Sequence, residues 1–536
     1  MLSLPSIAVR FFVGLGGAAT LLATSCSRPI SSSSSVVEWT PDSTSVRLAA
    51  GPQYNRGAVW CFFWGAHYRH IWATPVTVPV LRLATAVPGG LAPIQAGGSY
   101  QSHTLRLCTA NGHEFVLRSV DKDASAALPA GWKRRLLGGL MKDQTSAANP
   151  YGAYVVARLA GAVGVYHANP RLVYVGNDPA LGKFRAAYAN ALYLFEERAE
   201  RNQATVASFG RSTAVVSTAR MLADIRKYPA NAVDARAYLR ARLLDVWVGD
   251  WSRREDQWRW ASFSNGGRVT YRPIPRDRDQ AFFLFNDGAV TRLVSWFMPK
   301  YHSFGPALRP RDVQGLTATA RVLDRTLLGA LSAEDFRQIS DSLRQRLSDA
   351  VIARALQAGP AETQATIAAT YGPILRERRE QLPAVAARFY KILSAEAWLI
   401  GTDQPERFVV NSVGAGRLQV RVLAMQPGRP DSLLSQRVYD RHDTYRLSVF
   451  GLAGNDIFEL KGPVNPGFAV HLYDGAGRDH VFSTGAQPDT SHDVTWYSSS
   501  DGNSGAKLSL IRIRPDRDSA QTSNYRGWLK RYNLRD

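Results

Sequence analysis

Residues 248–283 constrain this chain more than any other stretch. Two acidic segments, VGDWSRREDQWRW (248–260) and YRPIPRDRDQAFF (271–283), flank ASFSNGGRVT. Asn265-Gly266-Gly267 between two β-capable runs predicts a tight hairpin, because such turns need residues that tolerate positive φ. The local order is then helix end, acidic loop, strand, turn, strand, acidic loop. One acid in such a layout suits the orienting of a nucleophile, and the other suits holding Mg²⁺ on nucleotide phosphates. The same residue types also build a surface of arginine–carboxylate pairs.

Upstream, Gly89-Gly90 and Gly97-Gly98 punctuate β-prone runs. A Gly-rich turn between strands lets bare backbone approach phosphate oxygens. The run TLRLCTANGHEFVLRSVDKD (104–123) predicts a hairpin around Asn111-Gly112,. Its second strand centres on Arg118, and Lys122 follows closely. Arg118 is the first candidate for a phosphate-binding cation and Lys122 the alternative. Residues 136–164 read as helical, with Pro150 opening the second helical stretch,. Asp143 in the first is either the acid that orients Arg118 or an ordinary helix charge. Two strands around an Asp-Pro loop then lead to Glu196-Glu197-Arg198, placed as a hinge between two lobes.

The strand with its basic residue, the helix ending near Gly164, the segment VYHANPRLVYVGND…YLFEER and the two acidic loops together resemble the CotH-type kinases. These are atypical members of the protein-kinase-like superfamily. The chain is also similar to a group of Gram-negative envelope proteins that often carry a metallophosphatase domain and a BamA/TamA-type outer-membrane barrel. The likeness covers roughly 64–482 and is most specific in LRSVDKD, NPYGA, GDW…DQWRW and PIPRDRDQAFF. Neither neighbouring domain has a signature in this sequence, so their functions are not carried over. The resemblance implies that Arg118 holds phosphates, with Gly97, Gly98, Lys122, Asp143, Glu196 and Glu197 around the nucleotide. Asp277 and Asp279 would hold Mg²⁺, with Gln257 at the further ligand position. The catalytic position falls on Ser252 instead of an aspartate, and a serine does not accept a proton as a carboxylate does. Asp250 is the surviving candidate base, with Asp256 nearby.

Residues 315–398 repeat apolar positions at helical spacing, and Ser332 is placed as a cap,. Residues 284–310 read as an irregular aromatic segment. From about 405 the pattern is strand–turn–strand. GLAGNDIFEL and DGAGRDHVF resemble the glycine–aspartate repeat of calcium-binding β-rolls, but Asp456 and Asp479 are 23 residues apart, where that repeat recurs about every nine residues. Gly/Asp turns in a β-sandwich or β-roll, with or without Ca²⁺, fit this region.

The N-terminus reads as an export signal. Arg10 precedes FFVGLGGAATLLA, and LLATSC resembles a bacterial lipobox with Ala23 in place of leucine,. Cys26 would carry the lipid, and Ser31 to Ser35 form a tether. Cys61 and Cys108 allow one disulfide or two buried thiols. His67 and His70 read as packed polar aromatics sooner than a metal pair. The net charge of +21 is spread along the chain without a nucleic-acid motif, and favours phosphates, nucleotides or an anionic envelope surface,.

The expected fold is α+β, a two-lobed protein-kinase-like domain followed by a smaller all-β domain. The segments are a signal peptide (1–26), a tether and extension (27–63), the kinase-like domain (64–400, with lobes 64–198 and 199–400), the β domain (401–485) and a weakly ordered tail (486–536). The expected function is an envelope lipoprotein, at the outer membrane, with an atypical kinase-like Mg²⁺–ATP phosphotransferase domain, active or degenerate, and an unidentified phosphoacceptor. The alternative is a non-catalytic scaffold beside an outer-membrane barrel protein.

Overall fold

The computed structural model describes residues 43–97, 103–123, 132–414, 416–462, 464, 467–484, 493–498, 504–506 and 511–515. Cys26, the serine tether and Gly98 lie outside them.

Strands β1 (Ser45–Ala49) and β2 (Pro75–Pro79) pair antiparallel. A five-stranded antiparallel sheet follows, from β3 (Ala92–Gly97), β4 (Thr104–Cys108), β5 (Glu114–Ser119), β6 (Arg171–Val175) and β7 (Ala191–Glu197), in the order β3-β4-β5-β7-β6. Asn111-Gly112 turns β4 into β5, with Gly112 at φ +83°. Helices Trp132–Asp143 and Gly152–Ala162 cross between β5 and β6. Residues 43–63 are integral to this lobe, although the sequence suggested an extension: Tyr54 packs edge-on against Trp72 at 5.1 Å and its hydroxyl donates to Asp121. Cys61 sits on helix Ala58–Trp64 and Cys108 on β4, and both thiols are free.

The second lobe begins with β8 (Ala214–Ser217), β9 (Ala232–Val233), β10 (Trp258–Asn265) and β11 (Arg268–Pro275), ordered β8-β10-β11-β9. Asn265 pairs with Arg268 across a two-residue turn, Gly266 and Gly267, whose φ of +56° and +80° a β-carbon would oppose,. Helix Ala235–Val248 packs beneath the hairpin with ten of its residues buried, as expected of a helix enclosed on all sides. The helices from Pro310 to Ala395 complete the lobe, and Ser332 caps Ala333–Arg346 reciprocally with Asp335. Residues 284–310 are more regular than the sequence suggested, since helix Ala289–Phe297 lies within them.

The chain ends in a two-sheet β-roll. One sheet holds β12 (Glu396–Ile400), β16 (Arg446–Phe450), β18 (Ala469–Tyr473), β20 (Val494–Ser498) and β22 (Arg512–Pro515). The other holds β13 (Glu406–Ser412), β14 (Arg417–Gln426), β15 (Arg429–Asp440), β17 (Ile457–Lys461), β19 (His480–Thr484) and β21 (Ser504–Ala506). From β16 onward successive strands alternate between the sheets, each parallel to the strand two places away. The β region thus runs from Glu396 to Pro515, into the stretch expected to be a weakly ordered tail. The parallel roll supplies β20, β21 and β22 with partners from the preceding coil.

The 23-residue spacing of the Gly/Asp segments is one coil, which places Ile457 opposite His480. Phe450, Tyr473 and Tyr497 stack up one corner at 4.8 and 4.6 Å, the spacing of neighbouring strands. Glu406, Asp456 and Asp479 stack up another, all fully buried. Asp456 Oδ1 accepts from Glu406 N (2.9 Å) and Asp479 Oδ1 from Asp456 N (2.7 Å). Each acid is therefore tied to the backbone of the next coil. Among the described residues no group of three or more His, Cys, Asp or Glu side chains is placed to hold a metal ion.

Candidate functional site

Arg118 occupies the central strand of the five-stranded sheet, where Glu114–Leu117 are also buried. A guanidinium there requires carboxylates, because an unpaired buried charge is very costly. Two converge on it. Its Nη2 donates to Glu196 Oε1 on β7 at 2.6 Å, and its Nη1 is ion-paired with Asp277. Four residues on, Lys122 is ion-paired with Asp279. Burial, then the nearby Arg118, pulls the Lys122 ammonium down to about 7. Two parallel ion pairs thus join the first lobe to the segment after β11.

Asp143 is not the partner of Arg118. Its carboxylate accepts from Arg69 Nη1 and Nη2 (3.0 and 2.7 Å), Arg56 Nε (3.0 Å) and Trp60 Nε1 (2.9 Å). Burial alone would raise this carboxyl, but Arg69, Trp60 and Arg56 hold it below the usual range. It fastens the 43–73 segment to helix Trp132–Asp143. The acid that faces Arg118 comes from a strand and a loop instead of a helix.

The β10–β11 hairpin brings the two acidic loops together, since Trp258 pairs with Pro275 and Arg276 N donates to Gln257 O at 2.8 Å. Asp277 follows with φ +52°, a left-handed conformation uncommon outside glycine and one that clusters at functional sites,. Ser252 Oγ and the Gln257 side-chain amide are hydrogen-bonded at 3.2–3.3 Å, and Gln257 Oε1 also accepts from Arg254 N. Gly97 ends β3 opposite Thr104, at the start of the turn expected to cover phosphates.

Asp250 is fully buried, ion-paired with Arg253, and accepts from Ser252 N at 3.1 Å. Burial pushes its carboxyl up to about 6 against the pull of Arg253. A general base has to reach the proton it takes, and here one Asp250 oxygen is taken by Ser252 N and the other by Arg253. Asp250 belongs to a buried network that the sequence did not reveal. Arg242 grips Asp324 at 2.8 and 3.1 Å and faces Asp245 at 3.3 Å. Arg253 joins Asp245 (3.0 Å) to Asp250, and Arg278 reaches Asp245 at 3.2 Å. Asp256, the other nearby acid, is exposed and bound to Arg254.

A cleft opens between the sheet and the hairpin. Its walls are Val116, the β7 end from Glu196 to Ala199, Ala153 and Ala157 on helix Gly152–Ala162, and Ile274 to Arg278. Its cavity volume of about 40 Å³ holds a water or two,, because arginines fill it. Burial, then Arg259 and Arg118, pulls Arg276 down to about 9, and burial lowers Arg278 to about 10. Burial likewise raises the Glu197 carboxyl. His67 does not pair with the exposed His70. It binds Asp287 (2.6 Å) and Gln144 (3.1 Å) and stacks on Phe285.

For a magnesium nucleotide the donor set is small. Mg²⁺ usually takes one or two carboxylates and completes its shell with water and phosphate oxygens. Asp277 on the cleft wall fits that role without a three-residue protein cage, and the Gln257 backbone carbonyl accepts from the neighbouring Arg276 N.

No family model matches the chain, and no curated protein matches it. Three solved structures are similar to part of it. The proinflammatory kinase CtkA of Helicobacter pylori shares 11% identity over 58% of this chain and 99% of that one, at a TM-score of 0.30. A chain of the HipA–HipB–operator DNA complex of Shewanella oneidensis shares 13% over 56% and 67%, at 0.25. The Rio2 kinase–ADP/Mg²⁺–phosphoaspartate complex of Chaetomium thermophilum shares 13% over 48% and 71%, at 0.21.

Proposed function

We propose that the cleft binds a magnesium nucleotide in the manner of a kinase-like domain whose transfer step is impaired. The observation that carries this reading is the meeting of Arg118, on the central strand, with Glu196 and Asp277, two residues of the cleft wall. Without ligand, the cation suited to phosphate and the anion suited to Mg²⁺ neutralise one another. A magnesium nucleotide offers each a new partner of the right sign, with Glu196 still orienting Arg118. Bound Mg²⁺ would supply charge neutralisation on the phosphates. Arg118 would hold phosphate oxygens, and Asp277 with Gln257 would hold the metal. The Glu196–Ala199 backbone and Val116 would flank the base.

Impairment is supported by Ser252 at the catalytic position and by the burial of Asp250. Binding of a fluorescent ATP analogue, with and without Mg²⁺, tests the reading. Arg118→Ala should weaken binding about tenfold or more, since a charge-assisted hydrogen bond contributes roughly 1.5–3 kcal/mol. Asp277→Asn should remove the Mg²⁺ dependence. Ser252→Asp should raise a slow wild-type transfer rate, for which a positioned base contributes about 10²–10⁴-fold. Absence of binding by the wild type and all three variants would leave only a scaffold beside an outer-membrane barrel.

The LLATSC ending further supports a lipid anchor at Cys26 and an envelope location. Cys26→Ala should abolish incorporation of a labelled fatty acid into the protein.

A further inference from the structure

Helix Ala289–Phe297 is built the wrong way round for a helix on a soluble surface. Residues spaced i, i+3, i+4, i+7 and i+8 normally face the core when apolar. Here that set is Ala289, Arg292, Leu293, Trp296 and Phe297, and all five face solvent. Trp296 is 64% exposed, Phe297 65% and Leu293 36%. The opposite face, with the buried Thr291, packs inward. Helix Ala58–Trp64 lies alongside and extends the surface, with Phe62 65% and Val59 52% exposed. The two helices are locked together, because Gly288 meets the backbone of Phe63, Trp64 and Gly65 so closely that a β-carbon would clash. The result is one rigid aromatic plateau.

Its charges have a single sign. Neither helix carries an acidic residue. Arg292 lies on the exposed stripe, Lys300 follows the helix, and Arg311 donates to the Trp296 carbonyl at its edge. The nearby acids are already engaged: Asp287 by His67, Asp312 by His302 at 3.1 Å, and Asp143 by Arg69. Exposed Trp and Phe beside cations match the interface of an anionic bilayer, where rings sit at headgroup level and cations meet lipid phosphates.

We propose that this plateau, centred on Phe62, Trp296 and Phe297, docks the folded domain onto an anionic lipid surface. The contact is separate from any lipid on Cys26 and from the cleft. It lays helices Ala58–Trp64 and Ala289–Phe297 flat on the membrane, with their rings among the headgroups.

The test uses the full chain carrying Cys26→Ala, which excludes a covalent lipid, and sedimentation with vesicles of phosphatidylethanolamine and phosphatidylglycerol or of phosphatidylcholine alone. The plateau-intact protein should prefer the anionic vesicles, and added salt should weaken its binding. Phe62→Ser with Trp296→Ser and Phe297→Ser should cut vesicle partition about tenfold or more, while ATP-analogue binding and circular dichroism match the parent. Arg292→Gln and Arg311→Gln should each cost about fivefold on anionic vesicles only. Equal partition of the triple variant and its parent would overturn the proposal. So would a parent that sediments as a dimer without lipid while the triple variant is monomeric, since the face would then bind a second copy.

Discussion

Beneath the cleft, Asp245, Asp250 and Asp324 are buried against Arg242, Arg253 and Arg278, three charges of each sign. In the β-roll, Glu406, Asp456 and Asp479 are buried one coil apart, with backbone amides from Thr402, Glu406 and Asp456 as donors. The consequences for ionisation differ. Asp250 rises only to about 6, because Arg253 and Arg278 oppose its burial. Asp456 rises to about 9, through burial and then through Asp479, Glu406 and Asp474. Glu406 and Asp479 each rise to about 7, again chiefly through burial. Guanidinium forks keep a buried acid charged and can hold two lobes in register. Amide donors in a roll fix the stacking of coils but leave Asp456 favouring its protonated form at neutral pH, with Glu406 and Asp479 near the midpoint.

The largest effect should come from removing a fork. Arg253→Met leaves Asp245 and Asp250 buried with less compensation, and breaking such a pair costs about 3–5 kcal/mol. Urea denaturation followed by far-ultraviolet circular dichroism should show this loss at pH 7. A cost below about 1 kcal/mol would mean that the arginines are not what sustains the network.

The roll responds to pH instead. Asp456 has a folded-state pKa above its ordinary 3.8, so its contribution is full below that value and is lost as pH rises through about 9,. Hydrogen-exchange protection of β17 and β19, corrected for intrinsic rates, should therefore fall between pH 5 and 9. Asp456→Asn keeps an acceptor for Glu406 N and removes the charge. It should flatten the profile and stabilise the roll at pH 8 by about 1–3 kcal/mol. An unchanged slope would place the pH sensitivity elsewhere.

Glu406→Gln should act in the same direction and less. Its folded-state value of about 7 lies closer to its ordinary 4.5, so its part of the loss is complete just above neutrality. Protection at pH 8 should rise by about 1 kcal/mol, with no change at pH 4. A larger gain than that of Asp456→Asn would reverse the ranking of the two rungs.

Local chemistry made much of the fold legible. Asn265-Gly266-Gly267 and Asn111-Gly112 could be placed because the dihedral demands of a tight turn are met by adjacent residues. The helical run after residue 315 and the switch to strands near 400 followed from periodicity. The stripe 289, 293, 296, 297 carried the same helical signal, but its aromatic and glycine neighbours masked it.

Pairings across the chain were not legible. Asp143 finds Arg69, 74 positions away, and Arg242 finds Asp324 over 82. A carboxylate carries no mark in sequence of which of many arginines it will meet. That choice is made when burial removes water and only converging geometries remain affordable. For the same reason Asp250, conspicuous beside Ser252 in sequence, became a core anchor, while Glu196, read as a hinge residue, turned to Arg118. The sequence by itself determined the turns, the helical and strand-bearing regions and the two acidic loops, because these depend on residues within a few positions of one another. Which acids are held by arginine, which by backbone amides, and which helix face meets solvent were decided by packing, because charge burial depends on everything that surrounds a group in space.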